Sequence, residues 1–188
     1  MLKGKRISLR AIEENDLSLI AKWRSEPDVY EYFYEYLPIS LSQQKDWYLH
    51  QKNNKTEINF VVSLNTGEVI GTVSIVHIDY RNRKAEWGRL IIGPEEHKSA
   101  GYGREVEMLI LQYCFEHLNL NKLYCEVLST NMKVVNMHKK FGFKEEGVLK
   151  RHIFKYGKYI DVICMAMFSD EYFSGDISML EKYKIELL

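Results

Sequence analysis

Apolar and polar positions alternate along several short stretches of this chain, and between them lie stretches with helical spacing. Residues 7–10, Ile7-Ser8-Leu9-Arg10, alternate with the period of a strand. The acidic run Glu13, Glu14 and Asp16 then sits where a helix N-terminus favours negative charge, and Leu17, Ile20 and Trp23 supply one apolar stripe behind it. Residues 26–37 are dense in Tyr and Glu and stop at Pro38; a second helix is expected after Ser40, running past Trp47. Residues 57–64, 69–79 and 84–92 read as three strands, the first two joined by a turn at Asn65-Thr66-Gly67. Gly93-Pro94 breaks this pattern.

The second half changes rhythm. A helix is expected over 103–117, a strand over 122–128, and a helix over 131–140 that ends at Phe141-Gly142-Phe143. Residues 146–154 and 159–168 read as two strands joined in a hairpin at Tyr156-Gly157-Lys158. Residues 169–188 read as a short helical extension of the same domain. The expectation is one mixed α/β domain over 1–168, with an antiparallel meander in front and a strand–helix–strand–helix unit behind.

Composition narrows the function classes. The 188 residues suit a single core, and 46% hydrophobic with 28% charged residues is ordinary globular composition. No run approaches the ~20 apolar residues of a membrane span, so no membrane role is expected. The basic start Met1-Leu2-Lys3-Gly4-Lys5-Arg6 has no apolar run after it, which argues against a secretory signal, and Gly is not residue 2, which argues against myristoylation. Twenty-six basic and twenty-six acidic residues cancel, which disfavours nucleic acid as a partner. Cys114, Cys125 and Cys164 are odd in number and far apart, each inside an apolar pattern. They read as small buried hydrophobes of a reducing, cytoplasmic protein.

The segment richest in chemistry runs from Ala85-Glu86-Trp87-Gly88-Arg89-Leu90-Ile91-Ile92, through Gly93-Pro94, to Lys98-Ser99-Ala100-Gly101-Tyr102-Gly103-Arg104. A strand here enters a glycine-bearing loop that opens a helix. Unpaired N–H groups and the helix dipole suit a phosphate at such a place, and Lys98 and Arg104 add formal charge. By itself a G-x-G is equally a tight turn. It is not a Walker loop, since Arg104-Glu105 follows Gly103, nor a dinucleotide fingerprint, since Val106 stands where a third glycine is needed. His77, His97, His117 and His152 show no metal-ligand spacing, so no metal is expected.

Here the chain resembles the GNAT acetyltransferase superfamily. Lys98-x-x-Gly101-x-Gly103 is similar to its Gln/Arg-x-x-Gly-x-Gly/Ala coenzyme motif, with Lys as a departure in the first position. Asn131, His138 and Gly142-Phe143 keep the spacing of a second signature, in which a tyrosine normally stands where His138 does. The resemblance extends from Arg6 to Phe168. It is strongest for the RimJ/RimL-like branch, which includes polyamine acetyltransferases (SpeG-like) and amino-sugar-nucleotide acetyltransferases (PseH-like).

That resemblance implies a central sheet of about seven mainly antiparallel strands flanked by about four helices, with a V-shaped splay between the two central parallel strands. It implies acetyl-CoA as cosubstrate. Leu90, Ile91 and Ile92 would offer backbone groups to the pantetheine arm; Lys98, Ser99, Ala100, Gly101, Tyr102, Gly103 and Arg104 would enclose the pyrophosphate; Asn131 would hydrogen-bond pantetheine or nearby backbone. An alkyl amine has a pKa near ~10 and must lose a proton before attacking a thioester. Glu86 holds the family position for that base, although an ordinary ion pair with Arg81, Arg83 or Lys84 is the plain alternative. The amide of Leu90 or Ile91 would stabilise the oxyanion. His138 would protonate the leaving thiolate, being seven residues from Asn131 along one helical face, with Tyr124 and Tyr102 as further donors.

On the acceptor side, Glu31, Tyr34 and Glu35 lie in the segment that overhangs the cleft in this family, where aromatic faces and carboxylates attract a cationic amine. The expected activity is acetyl transfer to a primary amine of a small molecule, a polyamine or an amino-sugar nucleotide. A protein N-terminal acetyltransferase and a catalytically silent CoA-binding sensor are the alternatives. The sequence leaves room for a homodimer or higher oligomer.

Overall fold

The computed structural model describes residues 1–35 and 38–174. Tyr36 and Leu37, at the end of the aromatic segment, and residues 175–188 of the expected extension lie outside the described residues.

Among the described residues, eight strands form one sheet in the order β1-β2-β3-β4-β5-β6-β8-β7. They are β1 (Leu2–Lys3), β2 (Ile7–Ala11), β3 (Ile58–Leu64), β4 (Val69–Asp79), β5 (Lys84–Ile92), β6 (Lys122–Leu128), β7 (Lys144–Lys155) and β8 (Lys158–Phe168). The strand beyond the expected seven is β1, which pairs Leu2 with Leu9 and Lys3 with Ser8. Two residues carry too little alternation to be read as a strand from sequence.

The helices are α1 (Leu17–Arg24), α2 (Pro27–Tyr30), α3 (Leu41–Gln51), α4 (Glu95–Lys98), α5 (Tyr102–Gln112), α6 (Met132–Lys140) and α7 (Ser169–Phe173). Four of them, α1, α3, α5 and α6, were legible as amphipathic or capped segments. The others are single turns. Ser40 accepts from the Gln43 backbone N–H and Gln43 reaches back to it, a capping box that starts α3 where expected. The helix expected over 103–117 is α through Gln112 and then widens into a π turn over Tyr113–His117.

Every strand pair is antiparallel except β5 with β6. That parallel ladder is short: Lys84, Ala85 and Glu86 pair with Lys122, Leu123 and Tyr124, and the pairing ends there. Beyond Glu86 the strands part, β5 staying with β4 and β6 with β8. This is the V that the resemblance implied.

Alternation on the two parting strands decides what faces where. Ala85, Trp87, Leu123, Cys125 and Val127 are buried in the core with α5 residues Val106, Met108, Leu109, Ile110 and Leu111. A buried apolar side chain of this size contributes about 1.5–3 kcal/mol, so this layer fixes the register of β5 and β6 against α5. Glu86, Tyr124 and Glu126, one position out of phase, fall on the opposite face. At the far end of β5, Gly93 lies against the Trp23 ring of α1, and a Cβ there would stand 2.0 Å from that ring. Only glycine lets α1 close onto the strand end that leads into the phosphate-type loop.

Candidate active site

Two bulges shape the cleft. Between Ser74–Gly88 and Thr72–Ile91, β5 spends one residue more than β4, and Arg89 takes a left-handed φ of 53°. Between Val76–Glu86 and Asp79–Lys84 the extra residue is on β4, and His77 takes φ 51°. A left-handed non-glycine costs roughly 1–2 kcal/mol, and bulges recur where a strand must re-aim a side chain. The first bulge lies beside the amides of Leu90 and Ile91. The second turns His77 toward Glu86.

Glu86 is therefore not paired with Arg81, Arg83 or Lys84. His77 Nδ1 donates to its Oε2 at 2.8 Å, while Arg83 binds Asn119. Burial is the main cause that raises the pKa of Glu86; the charge of Glu126 raises it further, and the His77 hydrogen bond and Arg89 oppose them. Glu126 lies on β6, and its carboxylate accepts from the Tyr34 hydroxyl. Burial, with Glu126 next, holds that phenol well above its ordinary range. Tyr124, the register partner of Glu86, is half-buried, and burial raises its pKa too.

Of the three acceptor-side residues, only Tyr34 reaches this cluster. Glu35 turns away to Arg24 at 3.1 Å, beside a cavity of ≈ 20 Å³ lined by Tyr30, Phe33 and Ile91. The Glu31 side chain is exposed, and it is the backbone around it that is anchored. Lys155, at the end of β7, is 2% exposed and donates to the carbonyls of Tyr30, Glu31 (3.0 Å) and Phe33 (2.6 Å). Three carbonyls satisfy all three ammonium protons, so a buried cation is tolerated and the segment before Tyr34 is tied to the hairpin. Lys155→Met is expected to raise KM for the amine about tenfold, equivalent to ~1.4 kcal/mol, and to leave KM for acetyl-CoA unchanged. Steady-state kinetics with each substrate varied in turn checks this.

On the coenzyme side, α4 and Ser99-Ala100-Gly101 lead into α5. Gly101 has φ 81° at the N-cap of α5, a conformation that favours glycine. Gly103 meets no such demand: a Cβ there would touch Leu90 at an ordinary 3.6 Å, so its place turns on how closely a ligand approaches. Ser99, Ala100 and Arg104 are exposed. Lys98 differs from expectation. Its ammonium is held by Asp28 at 2.7 Å and Glu95 at 2.8 Å, which raise its pKa and tie it to the α1–α2 side rather than to the loop. Arg6, unsuspected from sequence, organises the loop. It donates to the Ala100 carbonyl at 3.0 Å and to Glu105 at 3.0 Å, and its guanidinium lies 4.5 Å from the centre of the Tyr102 ring.

The expected alignment of Asn131 and His138 on one helical face needs correction. Asn131 is the N-cap of α6, with φ −100° and ψ 56°, and its side chain does not cap the helix. His138 is inside α6 but turned into the core at 4% exposure, where Nδ1 meets Glu107 Oε1 at 2.8 Å. Its ring lies 5.1 Å from Trp87 and 5.4 Å from Phe143, centre to centre. Among the described residues there is no group of three metal-ligating side chains, and no helix long and apolar enough to cross a membrane.

Sequence reasoning missed His77, Arg6, Lys155, Glu126 and Glu107. The last two had a local signal: Glu126 shares the strand face of Tyr124, and Glu107 interrupts an apolar run in Val106-Glu107-Met108-Leu109. The others depend on contacts across 9 to more than 90 positions.

A sheet parted at its middle strands, a left-handed glycine at a helix start and a half-buried carboxylate at the fork are the arrangement expected of an acyl-CoA N-acyltransferase. The family model for the acetyltransferase (GNAT) domain matches residues 6–144, and the chain belongs to that family. It is 32% identical over 169 residues to the spermidine N(1)-acetyltransferase of Vibrio cholerae, covering 90% of this chain and 96% of that one. The Escherichia coli K12 enzyme of the same name is also 32% identical, over 88% of each chain. The crystal structure of the Vibrio cholerae spermidine N-acetyltransferase with CoA and spermine superposes at a TM-score of 0.85, covering 89% of this chain and 98% of that one. The protein is an N-acetyltransferase that uses acetyl-CoA.

Proposed function

We propose that the acceptor is a polyamine, acetylated at a primary amine by direct attack on the thioester. The observation that carries this is the juxtaposition of Glu86 and Glu126 on adjacent strands, capped by the Tyr34 hydroxyl, on the face of the fork opposite α5 and α6. Two neighbouring carboxylates attract a flexible polycation and repel a sugar nucleotide, whose phosphates would face like charge. The spermidine acetyltransferases among the relatives support the same reading.

In this reading residues 99–104 and the α5 N-terminus hold the pyrophosphate, while Lys98 stays with Asp28 and Glu95. The β5 backbone past the fork, Leu90 to Ile92, holds the pantetheine, with Asn131 beside it. The orphaned edge of β5 fits that role: past Glu86 the strand has lost its β6 partner, and its free backbone groups suit an arm that lies along it as an added strand. Glu86, directly or through water, takes a proton from the bound ammonium. The amide of Leu90 or Ile91, beside the Arg89 bulge, faces the developing oxyanion. His138 returns a proton to the departing thiolate.

The test is thiol release from acetyl-CoA with spermidine, an amino-sugar nucleotide and an N-terminal peptide as acceptors. Spermidine is expected to give the highest kcat/KM by at least tenfold, about 1.4 kcal/mol of discrimination. A preference for the nucleotide or the peptide would overturn the polyamine assignment. CoA binding with no acceleration by any amine would overturn catalysis.

A further inference from the structure

The buried contact between α5 and α6 has no counterpart in the acceptor-side chemistry. Glu107 is fully buried, and only one of its carboxylate oxygens is used: Oε1 meets His138, while Oε2 is buried without a hydrogen-bond partner. Trp87 Nε1, beside the same imidazole, is also buried without a partner. Leaving such groups unsatisfied costs about 1–3 kcal/mol each, more for a charge, and a core built only for packing would hold apolar side chains here.

The location is specific. Trp87 is the first β5 residue past the last β5–β6 pair, and Cys125 is its counterpart on β6. The His138 ring lies 5.1 Å from that of Trp87, so the dyad lies against β5 where the strands part. The carboxylate at Nδ1 makes that nitrogen the donor and leaves Nε2 as the second nitrogen, the arrangement in which a carboxylate orients a proton-transferring imidazole.

We propose that Glu107 is a positioning residue that fixes the tautomer and orientation of His138, and that the pair supplies the proton to the departing CoA thiolate. This rests on the acetyl-transfer reading above. One amine proton goes to Glu86 before attack. The nitrogen–carbon bond forms, and the carbon–sulfur bond breaks with its electron pair on sulfur. His138 Nε2–H gives its proton to that sulfur, the amide nitrogen sheds its second proton to water, and His138 is reprotonated from solvent. Burial raises the pKa of Glu107 and the His138 hydrogen bond opposes that rise; its Oε1 keeps accepting from Nδ1–H while Nε2 delivers the proton. The charges that act on Cys125 of β6, besides Glu107, are those of Glu86, Cys164 and Glu126.

The test compares Glu107→Gln, His138→Phe and the double variant by kcat–pH profiles with acetyl-CoA and the best amine of the acceptor panel. Glu107→Gln is expected to lower kcat about 10–100-fold across the profile and to leave KM for acetyl-CoA within about twofold. In the His138→Phe background it should add nothing further, since the two act as a unit. If His138→Phe keeps wild-type kcat, the acid role of His138 falls. If His138→Phe is slow but Glu107→Gln is silent, or costs the same in both backgrounds, the acid role stands and the positioning role of Glu107 is overturned. Nitrogen-15 NMR of the wild-type histidines does not depend on any variant folding. It should show Nδ1 of His138 protonated, and a neutral imidazole protonated only at Nε2 would overturn the inference.

Discussion

Glu86→Gln is expected to lower kcat about 10²–10⁴-fold at neutral pH, with acetyl-CoA binding intact, because it removes the proposed general base while keeping size and polarity. That is ~3–5.5 kcal/mol of transition-state stabilisation at 1.36 kcal/mol per decade. Its pH dependence follows from the raised pKa. The base works when ionised, so the acid limb of kcat rises as Glu86 loses its proton, at higher pH than for an ordinary carboxylate near ~4.3. His77 lowers that pKa, so His77→Ala should move the limb further up. The charge of Glu126 raises it, so Glu126→Gln should move the limb down. A profile that does not respond to either neighbour, together with an active Glu86→Gln, would remove Glu86 from the mechanism.

The second large effect concerns the donor. Gly101→Val is expected to raise KM for acetyl-CoA about 10–100-fold. At φ 81° a β-branched residue bears roughly 1–3 kcal/mol of strain, and the loop relieves it only by rotating the amides that open α5. Because a Cβ at this position would come no nearer than 3.9 Å to Arg6, the effect is one of backbone conformation rather than of crowding. Gly101→Ala should then be milder, and Gly103→Ala should disturb only the bound state. Isothermal titration with CoA separates these. Equal affinities for Gly101→Val and the parent would show that the left-handed N-cap has no part in binding.

Much of the molecule is legible before folding. The strands over 69–79, 84–92 and 122–128 have the bounds expected of them, because each carries a clean run between turn residues. The loop with Gly101 follows from residue types at a spacing along one strand, loop and helix, whereas the base role of Glu86 comes only from the family resemblance. The acceptor side is less legible. Tyr34, Glu31 and Glu35 are neighbours in sequence, yet one faces Glu126, one is exposed and one faces Arg24. Side-chain direction in an irregular segment is set by what anchors its backbone. Here the anchor is Lys155, more than 120 positions away.

His138 shows the same division. Its spacing from Asn131 and Gly142-Phe143 was readable, and so was its placement on a helix. That it faces inward onto Glu107 was not, because Asn131 lies at the N-cap and the helical phase begins only after it. Likewise Lys98 reads as a cation beside a phosphate loop, but its charge is engaged by Glu95 in its own helix and by Asp28 from another.

The sequence by itself determined the strand and helix periods and the glycine-bearing loop ahead of α5, whose resemblance to a family's coenzyme motif points to the acetyl donor. These are local properties, set by backbone sterics and by residue spacing within one element. Tertiary structure alone decided which charges are paired, which carboxylate lies beside Glu86, and which nitrogen of His138 is held. Those depend on burial and on partners brought from distant elements, and neither quantity is written in any single stretch of the chain.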